Sequence, residues 1–271
     1  MAHFVIDGSV RRQISELARL HVSRAVDHPA WAAFRPVVWV GAEERKLVWR
    51  ASRLLRSGIM TQLNAQKALI FRITHIANVP WILRNGLHCK NSAVQDPDFV
   101  RIGNLELIAK RAARTVPIPP AGSLSDYIPF YFTPFSMMMY NIKTGYGGIH
   151  HFPNSEIVIM ASSLRGLAEK GVTAVFSDRH AYLHAVQFFH SLDDLDKIDW
   201  TLLQRKDFKR DVDDPEKTDR YQAEALVHRH LPVEHLAGIV CHNENGKRTL
   251  EAQREEAGVA LTVVARPSWY F

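Results

Sequence analysis

The stretch from Ile102 to Tyr140 puts cations beside aromatic rings. Leu105, Leu107, Ile108 and Ala112 recur at helical spacing, so Lys110, Arg111 and Arg114 project from a short amphipathic helix that Pro117 ends. A Pro/Gly turn follows. Then Tyr127, Ile128, Phe130, Tyr131 and Phe132 form a β-favouring apolar run bounded by Pro134. Helix-borne cations next to an aromatic-walled strand suit an anionic ligand with planar rings, such as a dinucleotide or a nucleic-acid base. The same residues also fit an ordinary helix with a solvated basic face beside a core strand. A second candidate is Glu224, set in the apolar run AEALVH. An ionised carboxylate is costly to bury alone, so Glu224 is either a working acid or a strand-end residue paired at the surface.

The elements that would position these groups read as α+β, with short strands among helices and no regular βαβ alternation. ALIFRI is the first clean strand, and WILRNG is a helix stopped by Gly86. EIVIMA, TAVFS, AEALVH, AGIVCH and LTVVAR read as further strands. Ser162 or Ser163 opens a helix closed by Gly171, and another is expected from Lys247 to Glu256. Ser177 or Asp178 is read as the cap of a helix that buries Ala181, Leu183, Val186, Phe188 and Phe189. Asn141 to Asn154 is expected to loop out, and Arg205 to Gln222 is a long, almost wholly polar connection of a kind that is functional or disordered.

The 271 residues carry a net charge of +6. Residues 1–66 hold ten Lys/Arg against five Asp/Glu, while residues 67–271 hold twenty-four against twenty-three. Global charge therefore says little about what the main domain binds, and any polyanion contact must rest on local clusters. We divide the chain into a basic, partly helical extension (1–66), with helices around Val10 to Ala25 and Ala42 to Ser57, and a main domain (67–271). The two cysteines, Cys89 and Cys241, provide neither a disulfide framework nor a zinc site, and no export signal or membrane span is read. The expectation is a soluble protein in the cytoplasm. His75, His150, His151, His180 and His184 show no ligand spacing, so no metal is expected.

Four blocks in order, FRITHIANVPWILRNGL, AKRAARTVPIPPAGSLSDYIPFYFTPFSMMMY, VFSDRH with its trailing FFHSL and DW, and QAEALV, resemble the DarT family of DNA ADP-ribosyltransferase toxins over roughly residues 68–271. The resemblance implies a split, two-sheet ADP-ribosyltransferase core that holds NAD in a cleft. It also implies a glycosyl transfer from NAD to a base of single-stranded DNA, reversed by a macrodomain antitoxin. By this resemblance Glu224 is the catalytic glutamate and Arg111 the essential arginine. Arg72, Ile73, Thr74 and Arg111 contact NAD, Leu87 to Arg111 closes over it, and Arg205 to Gln222 recognises the substrate. Tyr127, Tyr131, Tyr140 and Arg179 are the residues expected at the acceptor.

A carboxylate beside the ribose suits the positive charge that builds as the nicotinamide bond breaks. The family account has the arginine take a proton from the base, but a neutral guanidinium costs roughly 9 kcal/mol at pH 7. Arg111 is therefore expected to bind phosphate and stabilise charge. Two positions depart from the family: Arg72 stands where many relatives carry His, and Phe135 stands where an arginine is usual. Modification of RNA or protein, or a catalytically silent nucleic-acid-binding module, are the competing readings.

Overall fold

The computed structural model describes residues 62–271. The helices expected around Val10 to Ala25 and Ala42 to Ser57 lie outside the described residues. Leu63 is already fully buried, and its carbonyl accepts from Gln204 Nε2 at 2.7 Å.

In chain order the elements are β1 (Leu69–His75), α1 (Val79–Asn85), β2 (Leu87–His88), α2 (Leu105–Ala112), β3 (Tyr127–Tyr131), α3 (Met137–Thr144), β4 (Ile157–Ser163), α4 (Leu164–Glu169) and β5 (Ala174–Ser177). They continue with β6 (Phe188–Phe189), α5 (Trp200–Arg205), α6 (Lys217–Arg220), β7 (Glu224–His228), β8 (His230–Leu231), β9 (Gly238–Cys241), α7 (Glu244–Glu256) and β10 (Val263–Ala265). Eight strands form one sheet in the order β10-β9-β4-β1-β3-β7-β5-β6. β1 pairs with β4 along its whole length, and β3 pairs with β7 from Tyr127↔His228 to Tyr131↔Glu224.

Between β1 and β3, however, a single residue pair, Phe71↔Tyr131, joins the two halves. The sheet is therefore two four-stranded halves that part at this seam. Arg72 reaches across it, Nη1 donating to Pro129 O at 2.9 Å, and so satisfies a carbonyl on the neighbouring strand.

Strand alternation sorts side chains to two faces. Ile128, Phe130, Ala225 and Val227 join the large core, whereas Tyr127 and Leu226 join a small second cluster with Val116, Leu124, Val175 and Ala181. Glu224, two residues before Leu226 on β7, shares the face of the small cluster.

α2 is capped by Asn104, whose side chain accepts from Leu107 N at 2.9 Å, and it carries Glu106 in its first turn and Lys110 and Arg111 in its last, the polarity its dipole favours. As whole residues none of the eight is buried, but the Arg111 side chain is only 13% exposed.

The helix expected after Ser177 does not form. Residues 178–187 are a loop, closed by Gln187 N donating to Asp178 Oδ1 at 2.9 Å, and Phe188–Phe189 instead form β6 against Phe176 and Ser177. Tertiary demand outweighs the local pattern, because the Ala181 N–H is taken by the Glu224 carboxylate. α7 starts three residues earlier than expected, at the Asn243 cap, and Asn141 to Asn154 begins with the end of α3 before left-handed Gly145 stops that helix.

Candidate active site

Glu224 begins β7 and is 3% exposed. Arg111, from the last turn of α2, meets it with two parallel hydrogen bonds, Nη1 to Oε1 at 3.0 Å and Nη2 to Oε2 at 2.8 Å. Ala181 N donates to Oε1 at 2.9 Å, and His180 Nδ1 lies 3.1 Å from the same oxygen. Tyr182 N also donates to His180 Nδ1, at 3.3 Å. The backbone is fixed as well, with Glu224 N donating to Ser177 Oγ at 3.3 Å.

Burial alone would raise the pKa of Glu224. The Arg111 charge, with His180 and the direct hydrogen bonds, overrides it and holds the carboxyl well below its usual range. Burial likewise works against the Arg111 charge, and Glu224 more than restores it. The pair is thus a desolvated anion and cation, each kept ionised by the other.

Tyr131 faces Glu224 across the β3–β7 ladder, and its phenol is pushed up to about 12, first by burial and then by the Glu224 charge. Arg72 approaches from the far side of the seam. Its Nε is buried with no hydrogen-bond partner, and no carboxylate among the described residues lies within ion-pair reach of it. Burial brings its pKa down to about 10, with the Arg111 charge adding to the effect. Two guanidinium groups therefore lie near one another with a single carboxylate between their positive charges to offset them. Ile73 and Thr74 follow Arg72 on β1, and Thr74 is buried and accepts from Asn78 Nδ2 at 3.0 Å.

The expected acceptor residues do not gather in one place. Tyr131 belongs to the cleft. Tyr127 lies in the small core with its hydroxyl donating to Ala121 O at 2.7 Å, four residues along the strand from Tyr131. Arg179 is held by Asp178 and by Glu216, each at 3.2 Å, and so ties the β5 loop to the segment before Glu224. Tyr140 is half open to solvent and packs edge-on against Phe208 and Phe271. Phe135 is buried, and Lys206 places Nζ 3.3 Å from the centre of its ring, so a neighbouring cation lies over the position where the family carries an arginine.

The polar connection from Arg205 to Gln222 is laced by ion pairs. Lys217 Nζ sits 3.0 Å from Asp207 and 3.1 Å from Asp211, and Arg220 meets Asp214 twice, at 3.0 and 2.7 Å, while its Nε reaches Asp199 at 3.4 Å.

Two parts of the site escaped sequence reasoning. His180 was considered only as a metal ligand, and the Ala181 N–H has no letter in a sequence at all. The pairing of β5 with β7, which brings the loop after β5 to Glu224, was the missing information. Among the described residues no three His, Cys, Asp or Glu side chains are placed to hold a metal ion, and no helix is long and apolar enough to cross a membrane.

Residues 71–271 match the family model described as DarT, ssDNA thymidine ADP-ribosyltransferase. A DNA ADP-ribosyl transferase of Escherichia coli O127:H6 is 52% identical over 209 residues, covering 77% of this chain and 96% of the relative. The fold is similar to the Thermus sp. 2.9 DarT in complex with ADP-ribosylated ssDNA, with a TM-score of 0.69 and 30% identity over 76% of this chain and 97% of that one. The same protein in complex with NAD+ superposes with a TM-score of 0.66 at 29% identity, covering 76% and 98% of the two chains.

Proposed function

Because this chain belongs to the DarT family of single-stranded-DNA thymidine ADP-ribosyltransferases, we propose that it moves ADP-ribose from NAD to a thymidine base, with Glu224 and Arg111 at the reaction centre. The observation that carries the residue assignment is the buried, doubly hydrogen-bonded Arg111–Glu224 pair at the seam of the split sheet.

In the reaction the bond between ribose and nicotinamide breaks, its electron pair leaving with nicotinamide, and positive charge builds on the ribose. A carboxylate fixed as an anion beside that ribose stabilises the charge as it develops. Arg111 and His180 hold Glu224 in this ionised, oriented state. A base atom then bonds to the ribose carbon through its own electron pair, and its proton passes to solvent water. Arg111 is a poor acceptor for that proton, since it is already protonated: against the effect of burial, the Glu224 charge holds its pKa above an ordinary value that itself lies far above neutral pH.

The bidentate contact with Glu224 takes two of the five N–H donors of Arg111, and Arg72, with no carboxylate partner among the described residues, is the second cation placed to meet the NAD diphosphate. Its unpartnered Nε and the nearness of the two guanidinium groups to a single carboxylate support this reading. Ile73 and Thr74 line the donor side, and Tyr131 stands where the base must approach.

By bond type the reaction is a glycosyl transfer, and residues 67–271 carry it. NAD and DNA meet in the cytoplasm, where marking bases would obstruct copying. That fits a toxin whose mark a macrodomain antitoxin removes.

The test is mass analysis of single-stranded oligonucleotides, with and without thymidine, after incubation with the protein and labelled NAD. One ADP-ribose on thymidine-containing strands, with stoichiometric nicotinamide, is expected. Label found on protein alone, or equally on strands lacking thymidine, would overturn the assignment.

A further inference from the structure

Glu224 is held from two sides, and the side supplied by the loop after β5 has an anchor that none of the chemistry described so far uses. Residues 180–183 form a tight turn, closed by Leu183 N donating to His180 O at 3.1 Å. Ala181, the second residue of the turn, presents the N–H that donates to Glu224 Oε1 at 2.9 Å, and His180, the first, lies 3.1 Å from the same oxygen. The turn stands in a loop without a strand ladder of its own, so its orientation depends on what ties it down.

His180 N donates to Asp219 O at 3.0 Å, and Ala181 is fully buried in the small core with Val116, Leu124 and Leu226. A further tie is Arg114, whose Nη2 donates to Leu183 O at 2.8 Å across sixty-nine residues of sequence. Among the described residues the Arg114 side chain makes no other hydrogen bond and no ion pair, and its Nε is buried without a partner. A cation on a solvated helix face would keep all five of its N–H donors in water. Here one is taken out of water and left unpaired, so the contact with Leu183 and the packing around it outweigh that loss.

The place of Arg114 in the chain gives the contact its meaning. Arg114 N donates to Arg111 O at 3.1 Å, so the residue extends the end of α2 just past the guanidinium that meets Glu224. Its own carbonyl accepts from Leu124 N at 2.8 Å, which pins it to the segment that supplies Val116 and Leu124 to the small core. One helix end therefore reaches the carboxylate directly through Arg111, and through Arg114 it reaches the turn that donates to the same carboxylate.

We propose that Arg114 is a positioning residue for the reaction centre: through Leu183 O it fixes the 180–183 turn so that the Ala181 N–H and His180 stay on Glu224 Oε1. The inference rests on the catalytic use of Glu224 proposed above. It implies that the two sides of the Glu224 surroundings assemble together, with the end of α2 and the turn shifting as a unit.

Arg114→Gln withdraws the guanidinium from Leu183 O. Amide exchange of Ala181, followed residue by residue by NMR, should then quicken about 10-fold or more, while Val175 and Leu226 on the β5–β7 ladder keep their rates. The single-turnover rate at saturating NAD and single-stranded DNA should fall about 10-fold, less than for Glu224→Ala. Arg114→Lys restores a charged donor on a long stem and should recover most of the Ala181 protection and most of the rate. Ala181 exchange that is unchanged in Arg114→Gln, or that quickens in step with Val175 and Leu226, would overturn the proposal, as would a Lys variant no better than Gln. Should Arg114→Gln not fold, the wild-type protein decides: the Arg114 Nη protons should be resolved and slow to exchange, and a freely rotating guanidinium would overturn the proposal. If the wild-type protein transfers no ADP-ribose, the proposed function fails separately, and Ala181 exchange still reads whether Arg114 holds the turn.

Discussion

The Arg111–Glu224 pair and the aspartate-rich connection from Asp207 to Arg220 use the same chemical groups in opposite surroundings. At 224 the carboxylate is 3% exposed, and every partner is fixed by a strand, a helix or a backbone N–H. Around Lys217 and Arg220 the acidic partners Asp207, Asp211 and Asp214 are each about two-fifths exposed, although Lys217 itself is only 8% exposed. A buried pair cannot lose one member without stranding the other in a low dielectric, so it fixes a charge state. A wet lattice of pairs competes with water and salt, so it fixes a loop conformation only weakly and reversibly. The first arrangement suits a catalytic anion, and the second suits a segment that must adapt to a polymeric acceptor.

The widest separation between the two regions should come from Glu224→Ala. Loss of the anion is expected to lower single-turnover ADP-ribosylation by at least ~10²-fold. It also leaves Arg111 buried without a counter-ion, so urea denaturation should report a stability loss of about 3–5 kcal/mol. Acid dependence adds a sign. The folded carboxyl titrates below its ordinary 4.5, so its contribution is fully present above that pH and fades as pH falls through and below it. Glu224→Gln should remove this part of the acid sensitivity. A variant that kept wild-type turnover, or an unchanged acid profile, would deny Glu224 its special place.

Arg111→Lys sharpens the same point at a smaller scale. A point charge replaces a planar fork, keeping attraction to the carboxylate but losing one of two charge-assisted hydrogen bonds. At roughly 1.5–3 kcal/mol for that bond, kcat should fall about 10- to 100-fold, with a smaller change in KM for NAD. Near-normal NAD binding with no turnover at all would instead favour proton transfer through the guanidinium.

How far these residues could be read from the chain depends on the range of the interaction that places them. β1, β3 and β7 are legible because runs of β-branched and aromatic residues between turn formers specify strands locally, and Glu224 was conspicuous as an acid within such a run. The loop after β5 departs from its helical reading because Ala181, Leu183, Val186, Phe188 and Phe189 imitate a helical face, although Phe188 and Phe189 are only partly buried and pair as a strand with β5. His180 was missed for the same reason, since its partner is forty-four residues away and is reached only through strand order. Tyr127 and Tyr131 are expected together at the acceptor, yet register separates them. Tyr131 stands opposite Glu224 and Tyr127 opposite His228, about 13 Å further along the ladder. The seam between β1 and β3, where one residue pair holds two half-sheets together, follows from long-range register and leaves no local mark.

The smallest and most condition-dependent effect should come from the wet lattice, tested by Arg220→Gln. This change removes the double contact to Asp214 and the link to Asp199, but touches neither Glu224 nor its partners. If the lattice only orders the acceptor-facing loop, KM for a single-stranded oligonucleotide should rise a few-fold near physiological salt. KM for NAD and the midpoint of urea denaturation should stay within error of wild type. Salt supplies an internal control, because screening at about 1 M shortens the reach of exposed charges to roughly 3 Å and should weaken the wild-type lattice itself. Wild type and variant should therefore converge as salt rises, once the general salt dependence of DNA binding is removed by comparing their ratio. Asp214→Asn should reproduce the pattern from the other side of the pair. A ratio independent of salt, or a loss of turnover comparable to that of Glu224→Ala, would mean that the loop pairs carry a load of the buried kind and that the contrast between the two regions is false.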